Sequence, residues 1–210
     1  MERHAIKQVA RRMKLGMRIA VVVLAGLAAL PNLARAQKVD LGVGLSTTLA
    51  PPPLFTNGAL AYPSLDGGAY PGVSADVLFF HHFGVGGEVY WRATPAGNYV
   101  PATYGPGVGY RPVFYNVNLI SAPRLAPHVH LEFVAGIGAL STQFRASAGS
   151  TAPPSNNQLD ADFGGGLKIY VAKHIFIRPE GRLYVTGNNN NSYAGQITSR
   201  VGVALGCTVP

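Results

Sequence analysis

The 210-residue sequence predicts an all-β fold, an eight-stranded antiparallel up-and-down β-barrel that crosses a membrane. Three observations lead there. Apolar residues recur with period two from Lys38 onward, as they do in strands with two unlike faces. The connections between these segments alternate between short and long, as transmembrane barrels require of their two ends. The residues opposing the apolar ones carry charge of both signs, although only 12% of the chain is charged.

The first element is an address rather than a strand. Residues 1–18 carry Arg3, Lys7, Arg11, Arg12, Lys14 and Arg18 against Glu2, and an apolar run follows from Ile19 to Leu30. That run is too short to span a bilayer comfortably. Pro31 ends it, and Ala34 and Ala36 place small residues at −3 and −1 of a cleavage site before Gln37. The layout predicts a secretory signal peptide over 1–36 and a barrel domain over 37–210; a signal anchor or an ordinary first helix is the competing reading. No cysteine stands near the cut to carry a lipid anchor. Removing the leader takes the formal net charge from +8 to +2, leaving ten basic and eight acidic residues. A nucleic-acid partner loses its support with it. The single cysteine excludes an internal disulfide framework and a four-cysteine zinc site.

The strands follow in order. The first alternates Val39, Leu41, Val43 and Leu45 with Asp40, Gly42, Gly44 and Ser46. The second sets Val73, Ala75, Val77 and Phe79 against Ser74 and Asp76, and the third Val85, Val89 and Trp91 against Glu88, Tyr90 and Arg92. Val113, Tyr115, Val117 and Leu119 oppose Asn116 and Asn118 in the fourth. In the fifth, Val129 to Ile137 alternate with His130 and Glu132. The sixth runs Leu159 to Val171 against Asp160, Asp162, Lys168 and Tyr170. The seventh carries Ile175, Ile177, Leu183 and Val185 opposite Arg178, Glu180 and Arg182. Ile197 to Leu205 oppose Gln196, Thr198 and Arg200 in the eighth. Short turns fall at 81–84, 122–128 and 172–174, and long loops at 51–71, 96–112, 145–158 and 187–195. About ten residues per strand at ~3.3 Å each, tilted, cover the apolar band of ~25 Å.

Proline agrees with this plan, because it cannot donate to a ladder. In the mature chain, Pro210 apart, only Pro179 falls inside a predicted strand, where a bulge is the simplest accommodation. Gly42, Gly44, Gly136, Gly138, Gly164 and Gly166 fall on the inward face of a narrow barrel.

A soluble eight-stranded barrel points apolar residues inward, whereas a membrane barrel points them outward. The polar face holds the acids Asp40, Asp76, Glu88, Glu132, Asp160, Asp162 and Glu180 and the bases Arg92, Lys168, Arg178, Arg182 and Arg200. Such near-balance suits a buried paired network more than a soluble surface, which carries more lysine. The membrane sense is therefore favoured, with these residues as a lumen charge network.

At this point the chain resembles the small eight-stranded outer-membrane barrels of the OmpA, OmpX, OmpW and opacity-protein type. Gly164-Gly165-Gly166-Leu167-Lys168-Ile169-Tyr170 and the passage from Ile175 to Tyr184 resemble that group's penultimate hairpin. The resemblance implies insertion into the bacterial outer membrane after Sec-type export, with lipid, lipopolysaccharide and the insertion machinery as partners. Such barrels usually end in an aromatic residue, whereas this chain ends Gly206-Cys207-Thr208-Val209-Pro210.

The mature histidines, His81, His82, His128, His130 and His174, all fall at the short-turn end. A metal site there is weighed against interfacial side chains set apart around a rim, accompanied by Phe79, Phe80 and Phe83, and the second is favoured. Tyr90, Trp91, Tyr104, Tyr110, Tyr115, Tyr170 and Tyr184 are read as girdle or lumen packing. A lipid-A-modifying enzyme would need a histidine near the outer rim, where Ser46, Thr47, Thr48, Ser141, Thr142 and Thr186 have none beside them. No catalytic residue, cofactor or metal site is expected, and Cys207 is expected to be a small residue near a strand end. Eight strands leave an interior just wide enough for side chains. The expectation is thus a barrel with a largely plugged lumen and a structural or surface-interaction role, its long loops contacting an extracellular partner. A narrow porin-like channel for small or apolar solutes is the alternative, with a soluble periplasmic barrel behind it.

Overall fold

A computed structural model describes residues 38–50, 65–79, 82–99, 108–145, 155–187 and 196–210. The expected cleavage residues Ala34, Ala36 and Gln37 lie outside the described residues, as do Phe80, His81 and Tyr104. Ten strands form among those described. They are β1 (Lys38–Leu49), β2 (Tyr70–Phe79), β3 (Phe83–Trp91), β4 (Ala96–Tyr99) and β5 (Val108–Ser121). The remainder are β6 (Arg124–Ala126), β7 (Val129–Arg145), β8 (Asn156–Tyr170), β9 (Ile175–Thr186) and β10 (Gln196–Val209).

Eight of these close a barrel. Each pairs antiparallel with its neighbour in the order β1, β2, β3, β5, β7, β8, β9, β10, and β10 returns to β1. The seam runs from Val39 opposite Val209 to Leu49 opposite Ser199. The short β4 and β6 are additions alongside β5 and β7.

Alternation along each strand sends one set of side chains inward and the other to the surface. Val43, Val117, Ile137, Leu159 and Leu205 are exposed, Leu159 at 75%, whereas Asp40, Glu132, Arg178 and Arg200 are at most 2% exposed. A soluble barrel cannot carry that inverted arrangement, because each exposed aliphatic side chain forfeits about 1.5–3 kcal/mol of burial in water. In lipid the same surface is at home, and closure satisfies the backbone. No helix among the described residues is long and apolar enough to cross a membrane.

Three features differ from the sequence expectation. First, β5, β7 and β8 run farther at the long-loop end than the alternating apolar pattern does. Gly109 to Pro112 pair with Thr142 to Arg145 there, making one flank of the wall taller. Arg111, Gln143 and Arg145 lie in these extensions, where the apolar-polar contrast fades. Second, the 122–128 turn contains β6, with Arg124 opposite His130. Third, Pro179 makes no bulge. Both ladders of β9 keep constant register, Pro179 lying opposite Val203 on β10, while on the β8 side the pairing lapses between Gly166–Glu180 and Ile169–Ile177. The missing N–H leaves a gap in one ladder instead of an extra residue.

Candidate functional site

Inward positions of facing strands lie a few ångströms apart in so narrow a barrel, so alternating charges on successive strands meet. Near the short-turn end Lys168 of β8 reaches Asp40 of β1 at 2.6 Å and Glu132 of β7 at 3.0 Å. The hydroxyl of Thr208 donates to the other oxygen of Asp40, and Tyr170 and Thr208 hydroxyls sit 3.0 Å apart. Lys168 also lies 4.9 Å from the centre of the Phe176 ring. That ring explains Gly206: a Cβ there would approach it to 2.3 Å.

Arg178 of β9 occupies the next level. It pairs with Asp76 at 3.1 Å, Glu132 at 3.0 Å and Glu180 at 3.1 Å, and donates to the Ser74 hydroxyl at 3.1 Å. Above it Arg182 holds Glu88 at 3.0 Å and Asp162 at 2.9 Å. Arg200 holds Glu88 at 2.9 Å and Glu180 at 3.2 Å, with its guanidinium 3.6 Å from the centre of the Tyr90 ring. The Tyr184 hydroxyl donates to Glu88 at 2.9 Å and that of Tyr90 to Glu180 at 3.4 Å. Buried charges are tolerable only in such company, since desolvating each ion costs several kcal/mol.

Two expected members of the network stand apart from its ion pairs. Arg92 lies just past the end of β3, its guanidinium beside Gly68 at the long-loop end. The departure follows from chain position: the strand that would aim it inward has already ended. Asp160 is buried but takes its hydrogen bonds from the Asn116 amide, which also donates to Asp162 at 3.0 Å. The lumen therefore sets seven carboxylates against four cations, where near-balance was expected.

Above the charges the lumen becomes aromatic. Tyr70, Tyr90, Phe114, Leu140 and Tyr184 pack with Leu65, which comes from the connection before β2. Phe114 stands 4.8 Å from Tyr184 and 6.1 Å from Tyr70, centre to centre. Gly67 and Gly68 take positive φ of 67° and 90°, which lets the chain fold over the opening. Thr48 donates to the Leu65 carbonyl, and the Gly67 amide donates back to Thr48 at 2.8 Å. Alternation cannot reveal Leu65, because it sits in an irregular segment. Of the hydroxyls weighed as catalytic, that of Ser46 donates to the Tyr70 carbonyl at 3.1 Å and that of Thr48 to the Leu65 carbonyl. Ser141, Thr142 and Thr186 are buried, with no histidine at this end among the described residues.

At the opposite mouth the described histidines come from three different short turns and the start of β7. His82, His128, His130 and His174 line one cavity of about 820 Å³, formed where the three short turns converge. Among the described residues no group of three or more His, Cys, Asp or Glu is placed to hold a metal ion. Tyr90 and Tyr184 are lumen residues, Tyr170 faces this mouth, and Tyr115 lies on the lipid side. Cys207 is exposed on the outer face of β10.

No protein-family profile and no curated protein matches the sequence. Solved structures do resemble the fold. Neisserial surface protein A superposes with a TM-score of 0.55 at 10% identity, over 81% of this chain and 96% of that one. The attachment invasion locus protein of Yersinia pestis, in complex with the heparin analogue sucrose octasulfate, gives 0.52 at 13% identity, over 82% and 97%. The fold is that of a small eight-stranded outer-membrane barrel. Its inverted faces, closed ladder and charged interior are one design: lipid outside, ions in the middle and packed aromatics near the long loops.

Proposed function

We propose that this outer-membrane barrel is a plugged scaffold with a structural or surface-interaction role. It is not an enzyme and not an open channel, and its short turns face the periplasm. One observation carries the reading: the ion pairs of Arg178, Arg182 and Arg200 with Asp76, Glu88, Glu132, Asp162 and Glu180 cross the lumen from strand to strand. With the Tyr70–Phe114–Tyr184 packing above them, they occupy the space a solute would need. Function then falls to the long loops, in keeping with connections held on a rigid scaffold. The sulfated ligand of the Yersinia pestis protein makes anionic polysaccharide a sensible first partner to try, and Arg111 and Arg145 lie in the outer strand extensions.

Planar-bilayer recording on the folded protein tests the plug. The expected outcome is no stable conductance step, alongside heat-modifiable gel mobility that reports a closed barrel. Discrete steps that vanish when Glu88 and Arg182 are replaced would establish the channel reading instead. Release of fatty acid from lipopolysaccharide would establish an enzyme.

A further inference from the structure

The mouth at the short-turn end has a charge character opposite to the lumen beneath it. We propose that this mouth is a binding bowl for a multivalent phosphate-bearing anion; its periplasmic location rests on the orientation proposed above. Lys38 at the start of β1, Arg124 on β6 and Lys173 in the β8–β9 turn line the same cavity as the four histidines. Among the described residues no Asp or Glu side chain lines it. Pro210 does, and a carboxylate there still leaves two permanent positive charges in excess. Neither Lys38 nor Lys173 pairs with a carboxylate among the described residues. Arg124 spends two donors on the Ala126 and Pro127 carbonyls, and its guanidinium has five.

The floor explains why this charge stays available. Asp40 and Glu132, the nearest acids below, are already held by Lys168, and Thr208 takes the remaining oxygen of Asp40. An anion in the bowl meets cations at the sides and a closed floor. Deeper passage would carry it into a lumen with three more carboxylates than cations. The bowl is therefore an end point and not the start of a path. At about 820 Å³ it has room for several phosphate groups. Cations placed around a concave, partly desolvated surface focus potential on such a ligand.

Titration calorimetry with tripolyphosphate, on the protein folded into phosphatidylcholine nanodiscs at low salt, tests the inference. The expected result is saturable binding of one tripolyphosphate per barrel. Lys38→Glu with Lys173→Glu should weaken it at least tenfold, as should raising salt to ~0.5 M, where the screening length falls to a few ångströms. Gln143→Glu, an exposed position at the far end, should change affinity less than twofold. Lys38→Gln with Lys173→Gln serves if the double reversal does not fold. Weakened binding in phosphatidylglycerol nanodiscs assigns the site to membrane headgroups of the same chemistry; unchanged binding assigns it to a soluble anion. No saturable binding, or equal losses in the mouth and Gln143 variants, overturns the inference. Channel conductance would overturn only the plugged-lumen reading, and loss of heat-modifiable mobility only the barrel.

Discussion

The two halves of the lumen are closed by different physics. The half nearer the short turns is filled by Lys168, Arg178, Arg182 and Arg200 and the acids they hold. The half nearer the long loops is filled by Tyr70, Phe114, Tyr184 and Leu65. An ionic filling is all or nothing, because each member is costly once its partner is gone. An aromatic filling degrades gradually, since neighbours relax and only contact area is lost. The ionic half should thus act as the register lock and the aromatic half as a seal that tolerates change.

Arg178→Ala is the strongest way to break that contrast. It orphans Asp76 and the Ser74 hydroxyl and leaves Glu132 with Lys168 as its one remaining cation, and removing one partner of a buried pair costs about 3–5 kcal/mol. The urea midpoint of the detergent-folded barrel should fall accordingly. Adding Glu132→Gln and Asp76→Asn to Arg178→Ala should recover part of the loss, because neutral amides remove uncompensated charge. If the triple variant is less stable than the single, the ionic half is not governed by desolvation.

Phe114→Leu probes the other half. The ring contacts with Tyr184 and Tyr70 are lost, but an apolar swap of similar size usually costs under about 1.5 kcal/mol. The unfolding midpoint should move less than half as far as for Arg178→Ala. Equal shifts would mean that the two halves share one cooperative filling.

Much of this design is legible in the sequence, for a simple reason. Period two is imposed by backbone geometry, so Val39 to Leu45 or Leu159 to Val171 announce their faces without reference to anything distant. The inward charges are legible for the same reason, since polar groups at alternate positions of an otherwise apolar strand must face a common interior. Their pairing is not. Nothing local links Lys168 to Asp40, which is 128 residues away, or Arg200 to Glu88, which is 112 away. Partners depend on how the eight strands are staggered around the barrel. Leu65 and Arg92 fall outside the alternation, and the shared histidine cavity appears only when three separate turns converge.

Pro179 sharpens the comparison on the smallest scale. It stands on the ionic half's wall, between Arg178 and Glu180, and the ladder to β8 lapses at that level, opposite Leu167 and Lys168. The β10 ladder beside it continues unbroken. Pro179→Val restores an N–H donor on an exposed, lipid-facing position, without touching the lumen. One recovered hydrogen bond in a strand is worth about 1 kcal/mol, so a modest rise in the unfolding midpoint is expected. The informative measurement is the same substitution in the Arg178→Ala background. If inward ion pairs hold β9 while its β8 ladder is open, the repaired hydrogen bond must gain value once they are removed. A larger gain there identifies the charged lumen as what holds β9 in register; an identical gain in both backgrounds makes wall and filling independent.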